Sequence, residues 1–164
     1  MKVTDAFEKV LKSYETYYDV AREKTGSIFA AEATFHSHDE QFFLMKSAKI
    51  GEAESIEYVF FAKEEYLDCE KLKKLDEVAW TKGLERVKPH SNHRNTDIAL
   101  VVVSNRIAED VAAFIPKIKH YKSYRFGFQG WSHYRLIVLE VSSGQVVYNR
   151  QGQSLKKLFD NIVK

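Results

Sequence analysis

The spacing of hydrophobic residues along the first third of the chain predicts a helix followed by strands. Over residues 5–20 the apolar and aromatic positions recur at helical intervals, which indicates an amphipathic first helix. Residues 28–35 alternate between the two faces of an extended chain, and two more extended runs follow at 41–50 and 55–62. Because short polar turns separate these runs, they predict a three-stranded antiparallel meander.

The middle of the chain predicts a strand buried between two helices. Residues 66–86 carry leucine, valine and alanine at helical spacing among many charged residues, which is typical of an amphipathic helix. Residues 98–103 are apolar on both faces, and strands of that kind lie in the centre of a covered sheet. Ser104 or Asn105 then begins a third predicted helix that extends to Ile118.

The last third predicts three strands and a C-terminal helix. The strands are placed at residues 123–131, 134–141 and 146–149, and Ser154 caps the final helix. The predicted order is therefore helix, three-strand antiparallel meander, helix, central buried strand, helix, three strands and helix. We interpret this mixed order as an α+β fold, with residues 1–164 forming a single domain.

Composition narrows the class of protein. Of the 164 residues, 45% are hydrophobic and 29% are charged, which excludes a disordered chain. The single cysteine, Cys69, excludes an intramolecular disulfide, and the longest apolar run is far shorter than the roughly 20 residues of a membrane span. We therefore expect a cytoplasmic protein with no membrane contact. A formal net charge of +2 means that a nucleic-acid partner requires a local basic patch.

Histidines supply a candidate metal site. His36 and His38 are two apart on a predicted strand, so their side chains project to one side, and His90 and His93 add two possible ligands from a later loop. The first pair resembles the metallo-hydrolase pattern His-x-His-x-Asp-His, although the closing histidine is absent. A metal-dependent hydrolase is therefore a minor hypothesis, and a polar hairpin tip is the favoured interpretation.

The predicted order of elements also resembles the start of the restriction-endonuclease-like fold. That resemblance implies an acidic residue on the second strand and an acidic residue two positions before a lysine on the third. Here residues 41–46 contain no acid, Glu57 and Lys63 are six apart, and Phe61 precedes Lys63 by two. The topology thus occurs without the metal-binding motif of that family.

Aromatic and basic residues interleave over residues 120–135. The run Arg125-Phe126-Gly127-Phe128 resembles part of the longer signature of the RNA-recognition motif, and residues 101–105 resemble its partner signature, which implies a surface on which bases stack. Alternation along a strand puts Tyr124, Phe126 and Phe128 on one face, and packing of that face under a helix is the favoured alternative. The candidate binding residues are Tyr124, Arg125, Phe126, Phe128 and Trp131.

A further resemblance rests on Tyr17-Tyr18-Asp19, residues 57–61, residues 130–136, residues 147–149 and residues 155–159. Together these segments resemble a family of uncharacterised bacterial domains of unknown function. The resemblance implies a bacterial cytoplasmic protein for which no catalytic residues are assigned.

The sequence contains no complete catalytic constellation and no glycine-rich phosphate-binding loop. We therefore predict a non-catalytic binding or interaction domain without a cofactor, and a homodimer formed through an exposed sheet face is its plainest form. The alternative is a nucleic-acid-associated protein. The position of the aromatic side chains of the 120–135 segment, in the core or on the surface, decides between them.

Overall fold

A computed structural model describes residues 1–23, 26–36 and 54–164. Those residues form four α-helices and a seven-stranded mixed sheet, which confirms the predicted α+β class. The helices are α1 (Val3–Tyr14), α2 (Cys69–Glu85), α3 (Glu109–Phe114) and α4 (Lys156–Ile162). The strands are β1 (Asp19–Arg22), β2 (Ala31–His36), β3 (Glu54–Leu67), β4 (His93–Ile107), β5 (Tyr121–Ser123), β6 (Trp131–Glu140) and β7 (Gln145–Tyr148).

Three long parallel strands form the middle of the sheet. The order is β1-β2-β3-β4-β6-β5, and β7 also pairs with β6, beyond β5 along the same edge. Strands β3, β4 and β6 run parallel, whereas β1, β2 and β3 form an antiparallel meander. The predicted central strand is confirmed, because residues 98–103 lie in β4 and are fully buried.

Helices cover both faces of this sheet, so the chain forms three layers. Helices α1 and α4 pack on one face, where the core includes Phe7, Phe61 and Phe159. Helices α2 and α3 pack on the other face, against a core that includes Leu72 and Leu100. Because both faces of β4 are covered, its side chains are apolar at consecutive positions instead of alternating.

Helix α2 begins and ends close to its predicted limits. The Asp68 carboxylate accepts a hydrogen bond from the Lys71 backbone N–H at 2.8 Å and caps the helix. Gly83 allows the helix to approach β4, since a Cβ at that position would lie 2.5 Å from Ile98 side-chain atoms. Helix α1, in contrast, ends at Tyr14, six residues before its predicted end, because residues 19–22 pair with β2.

The structure contains a three-stranded antiparallel meander, but it is formed by β1, β2 and β3, with β2 paired directly to β3, and not by the three strands predicted. Strand β1 was not predicted, the strand placed at 28–35 is β2 at Ala31–His36, and the run at 41–50 lies outside the described residues. The third predicted helix is much shorter than residues 105–118. Strand β4 continues to Ile107 because Ser104 and Arg106 still pair with β3, so sheet pairing overrides the local capping preference.

Asn149 joins the C-terminal segment to the sheet. Its Oδ1 accepts hydrogen bonds from the Leu136 N–H at 2.9 Å and the Gly152 N–H at 2.8 Å. Its Nδ2 donates to the carbonyl oxygens of Ile118 at 3.1 Å and Tyr134 at 3.0 Å. The side chain therefore fixes three separate stretches of backbone at the end of β7.

Within the described residues, no helix is long and apolar enough to cross a membrane.

Candidate functional site

The five candidate binding residues lie on or beside the connection between β5 and β6. Residues 124–130, which we call the aromatic loop, do not continue the strand predicted at 123–131. Arg125–Gly127 form one 3-10 turn instead, and Gly127 and Gly130 have φ values of 92° and 87°. Positive φ values reverse the chain direction and are incompatible with an extended strand, which explains the difference.

The aromatic loop presents two phenylalanine rings to solvent. Phe126 is 100% exposed and Phe128 is 84% exposed, whereas Tyr124 and Trp131 are partly buried. The expectation that Phe126 and Phe128 pack under a helix is therefore wrong. Alternation along a strand does not apply to a turn, so the two rings are free of the sheet. Adjacent apolar rings that are exposed to solvent are typical of contact surfaces.

Backbone hydrogen bonds hold this loop in one shape. Tyr124 N–H donates to Gly130 O at 2.9 Å, Gly127 and Gln129 N–H donate to Tyr124 O at 3.1 Å, and Phe128 N–H donates to Arg125 O at 3.0 Å. Arg125 and Phe126 nevertheless adopt the left-handed region, with φ values of 47° and 55°. Left-handed conformations at residues with a Cβ are unfavourable, and they concentrate at functional sites.

We expect Phe126→Gly to leave the protein at least as stable as the wild type, with a gain of up to about 1.5 kcal/mol. Glycine removes a left-handed penalty of about 1–2 kcal/mol and adds about 0.5–1 kcal/mol of backbone entropy to the unfolded state. Phe128 has an ordinary φ of −65°, so Phe128→Gly is the matched control and should lose stability. Urea unfolding of both variants measures the effect, and a clear loss in Phe126→Gly contradicts it.

His93 fixes the base of the aromatic loop. It is buried at the start of β4, and its Nδ1 donates to the Gln129 carbonyl oxygen at 2.7 Å. Its Nε2 then accepts a hydrogen bond from the Thr96 hydroxyl at 2.7 Å. Gly130 fits against this ring, because a Cβ there would lie 2.5 Å from His93 Nδ1. Both nitrogens of His93 therefore have structural partners, and neither is available as a metal ligand in this arrangement.

Of the other histidines in the metal hypothesis, the structure brings only His90 close to His93 among the described residues, with ring centroids 5.9 Å apart. His36 ends β2, and His38 lies outside the described residues. His90 is in the loop before β4, with Nε2 3.8 Å from Glu54 Oε1. Among residues 1–23, 26–36 and 54–164, no group of three histidine, cysteine or acidic side chains is placed to hold a metal ion.

A cavity of about 650 Å³ adjoins β5 and β6, and we call it the basic cleft. Tyr121 and His133 are paired across the two strands with ring centroids 5.1 Å apart, and Trp131 lies on the same face as His133. The basic and aromatic residues that line the cleft are Lys117, Lys119, Tyr121, Trp131, His133 and Arg150. Among the residues that the structure describes, no acidic side chain lines the cleft, so its chemistry suits an anion that carries an aromatic ring.

Charge is unevenly distributed along the sequence in a way that the net value hides. Residues 111–159 contain eight lysine and arginine residues and one acidic residue, Glu140, whereas the rest of the chain has seventeen basic and 22 acidic residues. Because β5, β6 and β7 lie at one side of the sheet, this basic stretch occupies that side. Counting charge by segment would have found this signal, which a net charge of +2 concealed.

A buried ionic network lies on the face of the sheet that α1 covers. Glu57 of β3 and Asp97 of β4 are paired in register, and Arg135 of β6 bridges them, with N–O distances of 2.9 Å and 3.1 Å. Tyr18 donates a hydrogen bond to Glu57 Oε2 at 2.8 Å. Burial raises the pKa of Glu57, and the Arg135 guanidinium opposes that rise. The arginine therefore occupies the position between two carboxylates that a cation would need.

The structure also separates the two residues of the chain that come nearest to the nuclease motif, Glu57 and Lys63. Glu57 and Lys63 share β3 but are six residues apart, which separates their Cα atoms by about 20 Å along a strand. Glu57 is already paired with Arg135, and the Lys63 ammonium lies 5.6 Å from the centre of the Phe7 ring. The two side chains do not form one site.

A family described as a domain of unknown function, DUF8052, matches residues 2–161. The chain belongs to this family. No curated protein and no solved structure matches the chain. The predicted resemblance to a family of unknown function is thereby confirmed. The matched range of the DUF8052 domain includes the aromatic loop, the basic cleft and the buried ionic network, so all three are features of this domain.

Proposed function

We propose that the domain is a non-catalytic binding module for single-stranded nucleic acid, and that the β5–β6 hairpin is its contact surface. The observation that carries the proposal is the exposure of Phe126 and Phe128 on a loop that lies in an acid-poor stretch of the chain. Single-stranded nucleic acid combines flat apolar bases with regularly spaced phosphates. A surface that offers both exposed rings and cations matches that combination.

The aromatic rings favour a single strand over a duplex. Bases in a duplex are stacked on each other, whereas the bases of a single strand are free to stack on protein rings. Each such contact contributes about 1–3 kcal/mol. The loop is held by its own backbone hydrogen bonds, so its rings are in place before a ligand arrives.

The cations around the hairpin favour a polyanion over a neutral partner. Arg125 is exposed on the loop, and the Lys122 ammonium lies 5.7 Å from the centre of the Tyr124 ring. The basic cleft adds Lys117, Lys119 and Arg150 on the flank of the same hairpin. Within the described part of the chain, none of these five cations forms an ion pair, so each is available to a phosphate.

The double variant Phe126→Ala/Phe128→Ala should weaken binding to a short fluorescein-labelled oligothymidylate by at least about 30-fold in fluorescence anisotropy, since two stacking contacts are lost. Arg125→Ala should weaken binding of all sequences alike and reduce the slope of log K against log salt by about 0.7. Tyr17→Ala is the matched control, because Tyr17 is an exposed aromatic residue outside the acid-poor stretch.

Equal binding by the wild type and the double variant contradicts the proposal. So does tighter binding to a duplex of the same length. Light scattering of the wild type and the double variant tests the homodimer that the sequence analysis predicts. A dimer that dissociates in the double variant, together with no binding of oligonucleotide, would make a second copy of the chain the partner and overturn the nucleic-acid proposal.

We place this activity in the bacterial cytoplasm. The supports are the resemblance to bacterial domains and the single cysteine, Cys69, which is free and partly exposed. A free thiol is typical of a reducing compartment.

A further inference from the structure

The basic cleft is separate from the aromatic loop and has a different shape. Phe126 and Phe128 project into solvent, whereas Tyr121, Trp131 and His133 form the floor of a cavity. Antiparallel pairing of β5 and β6 produces this floor, because Tyr121 is opposite His133 and Ser123 is opposite Trp131. Side chains at positions 131 and 133 point to the same side of β6, so all three rings share one face.

The walls of the cleft supply positive charge from two segments. Lys117 and Lys119 precede β5, and Arg150 follows β7. All three are exposed, and none forms an ion pair with a described carboxylate. Cations that lack an acidic partner and converge on one cavity are poised for a multiply charged anion, above all a phosphate.

Asn149 keeps the two walls together. It is 2% exposed, and its side-chain amide donates to the backbone of Ile118 and Tyr134 while its oxygen accepts from Leu136 and Gly152. The segments that carry Lys119 and Arg150 are therefore fixed relative to each other by buried hydrogen bonds. A cavity with a rigid frame needs little reorganisation to accept a ligand.

We infer that the basic cleft is a binding site for a free nucleotide, with the base stacked on Tyr121 or Trp131 and the phosphate held by Lys117, Lys119 and Arg150. Its volume of about 650 Å³ falls within the range of small-molecule sites, about 300–1,000 Å³. Neither a phosphate alone nor a nucleoside alone uses both the rings and the cations. The rings of this site lie outside the aromatic loop and only its cations are shared with the proposed strand contact, so binding of a free nucleotide goes beyond that contact.

The test uses the fluorescence of Trp131. The chain has two tryptophans, so Trp80→Phe leaves Trp131 as the single indole, on the floor of the cleft. Titration of this protein with adenosine monophosphate should give saturable quenching. Binding should be at least tenfold tighter than for adenosine, which tests the cations, and at least tenfold tighter than for inorganic phosphate, which tests the rings.

Variants assign the binding to the cleft. Lys117→Ala/Lys119→Ala should weaken binding of adenosine monophosphate at least tenfold and leave binding of adenosine unchanged. Lys9→Ala/Lys12→Ala, which removes two exposed lysines of α1, is the matched control and should have no effect. Tyr121→Ala, measured by calorimetry, should also weaken binding of the nucleotide.

A variant of the aromatic loop distinguishes nucleotide binding in the cleft from strand binding at the loop. Phe126→Ala/Phe128→Ala should reduce oligonucleotide binding and leave nucleotide binding unchanged. Absence of saturable quenching, or equal effects of the cleft and control lysine pairs, overturns the nucleotide site, and the strand-binding proposal is then judged on its own variants. Nucleotide binding without oligonucleotide binding supports the site and overturns the proposed function.

Discussion

Replacing Arg135 by methionine should lower the free energy of unfolding by about 3–5 kcal/mol at pH 7. The guanidinium joins Glu57 and Asp97, and Glu57 is almost completely buried. Methionine keeps much of the side-chain volume but leaves two neighbouring carboxylates without a counter-ion. Removing one partner from a buried ionic group costs far more than removing an exposed pair, because the remaining charge is not solvated.

The difference in unfolding free energy between Arg135→Met and the wild type should narrow as the pH falls from 7 towards 5. Burial already raises the pKa of Glu57, and loss of Arg135 removes the interaction that opposes this rise. For an acid with a raised pKa in the folded state, the stability contribution is fully present below the unfolded pKa, about 4.3, and is lost as the pH rises through the folded pKa. Acid therefore neutralises the unpaired Glu57 in the variant.

Arg22→Met provides the matched control for this effect. Arg22 pairs with Glu8 at 2.5 Å, but both side chains are about half exposed. Its removal should leave the urea midpoint almost unchanged at every pH, because exposed ion pairs are screened by water. Equal losses for Arg135→Met and Arg22→Met would show that the network is not an energetically important part of the core.

Asn149→Ala should also lower the free energy of unfolding by about 3–5 kcal/mol. The amide makes four side-chain hydrogen bonds inside the protein, to Leu136, Gly152, Ile118 and Tyr134. Truncation leaves two buried N–H groups and two buried carbonyl groups without these partners. An unsatisfied buried group costs about 1–3 kcal/mol, and partial relaxation prevents the four costs from adding fully.

Urea unfolding measures this loss, and Asn161→Ala is the control because Asn161 is exposed on α4. The control should change stability by less than about 0.5 kcal/mol. A loss below about 1 kcal/mol in Asn149→Ala would contradict the assigned role of its hydrogen bonds. The same variant should weaken nucleotide binding where it remains folded, since the walls of the basic cleft are then no longer fixed.

The fold was predictable where burial and periodicity agree. Residues 98–103 are apolar at consecutive positions and rich in valine and isoleucine, which favours a strand covered on both faces in so short a run. The amphipathic spacing of α2 likewise predicted that helix. Helix α1 ended early because pairing of residues 19–22 with β2 depends on a partner strand, and periodicity contains no information about partners.

The candidate site was predictable in its residue types but not in its geometry. The interleaved aromatic and basic residues indicated a binding surface, but alternation could not distinguish a buried face from an exposed turn. The left-handed backbone of Arg125 and Phe126 decides that question, and nothing in those residue types favours it. The Glu57, Asp97 and Arg135 network depends on the register of three strands, which no local pattern encodes.

The uneven charge of the chain has a consequence for the way a partner arrives. The strands of the basic stretch lie at one side of the sheet, so the excess positive charge of residues 111–159 is concentrated on that side. On the proposed function, a polyanion is attracted towards the hairpin while it is still at a distance. Its orientation is thus selected before contact. Added salt should therefore slow association more than it hastens dissociation.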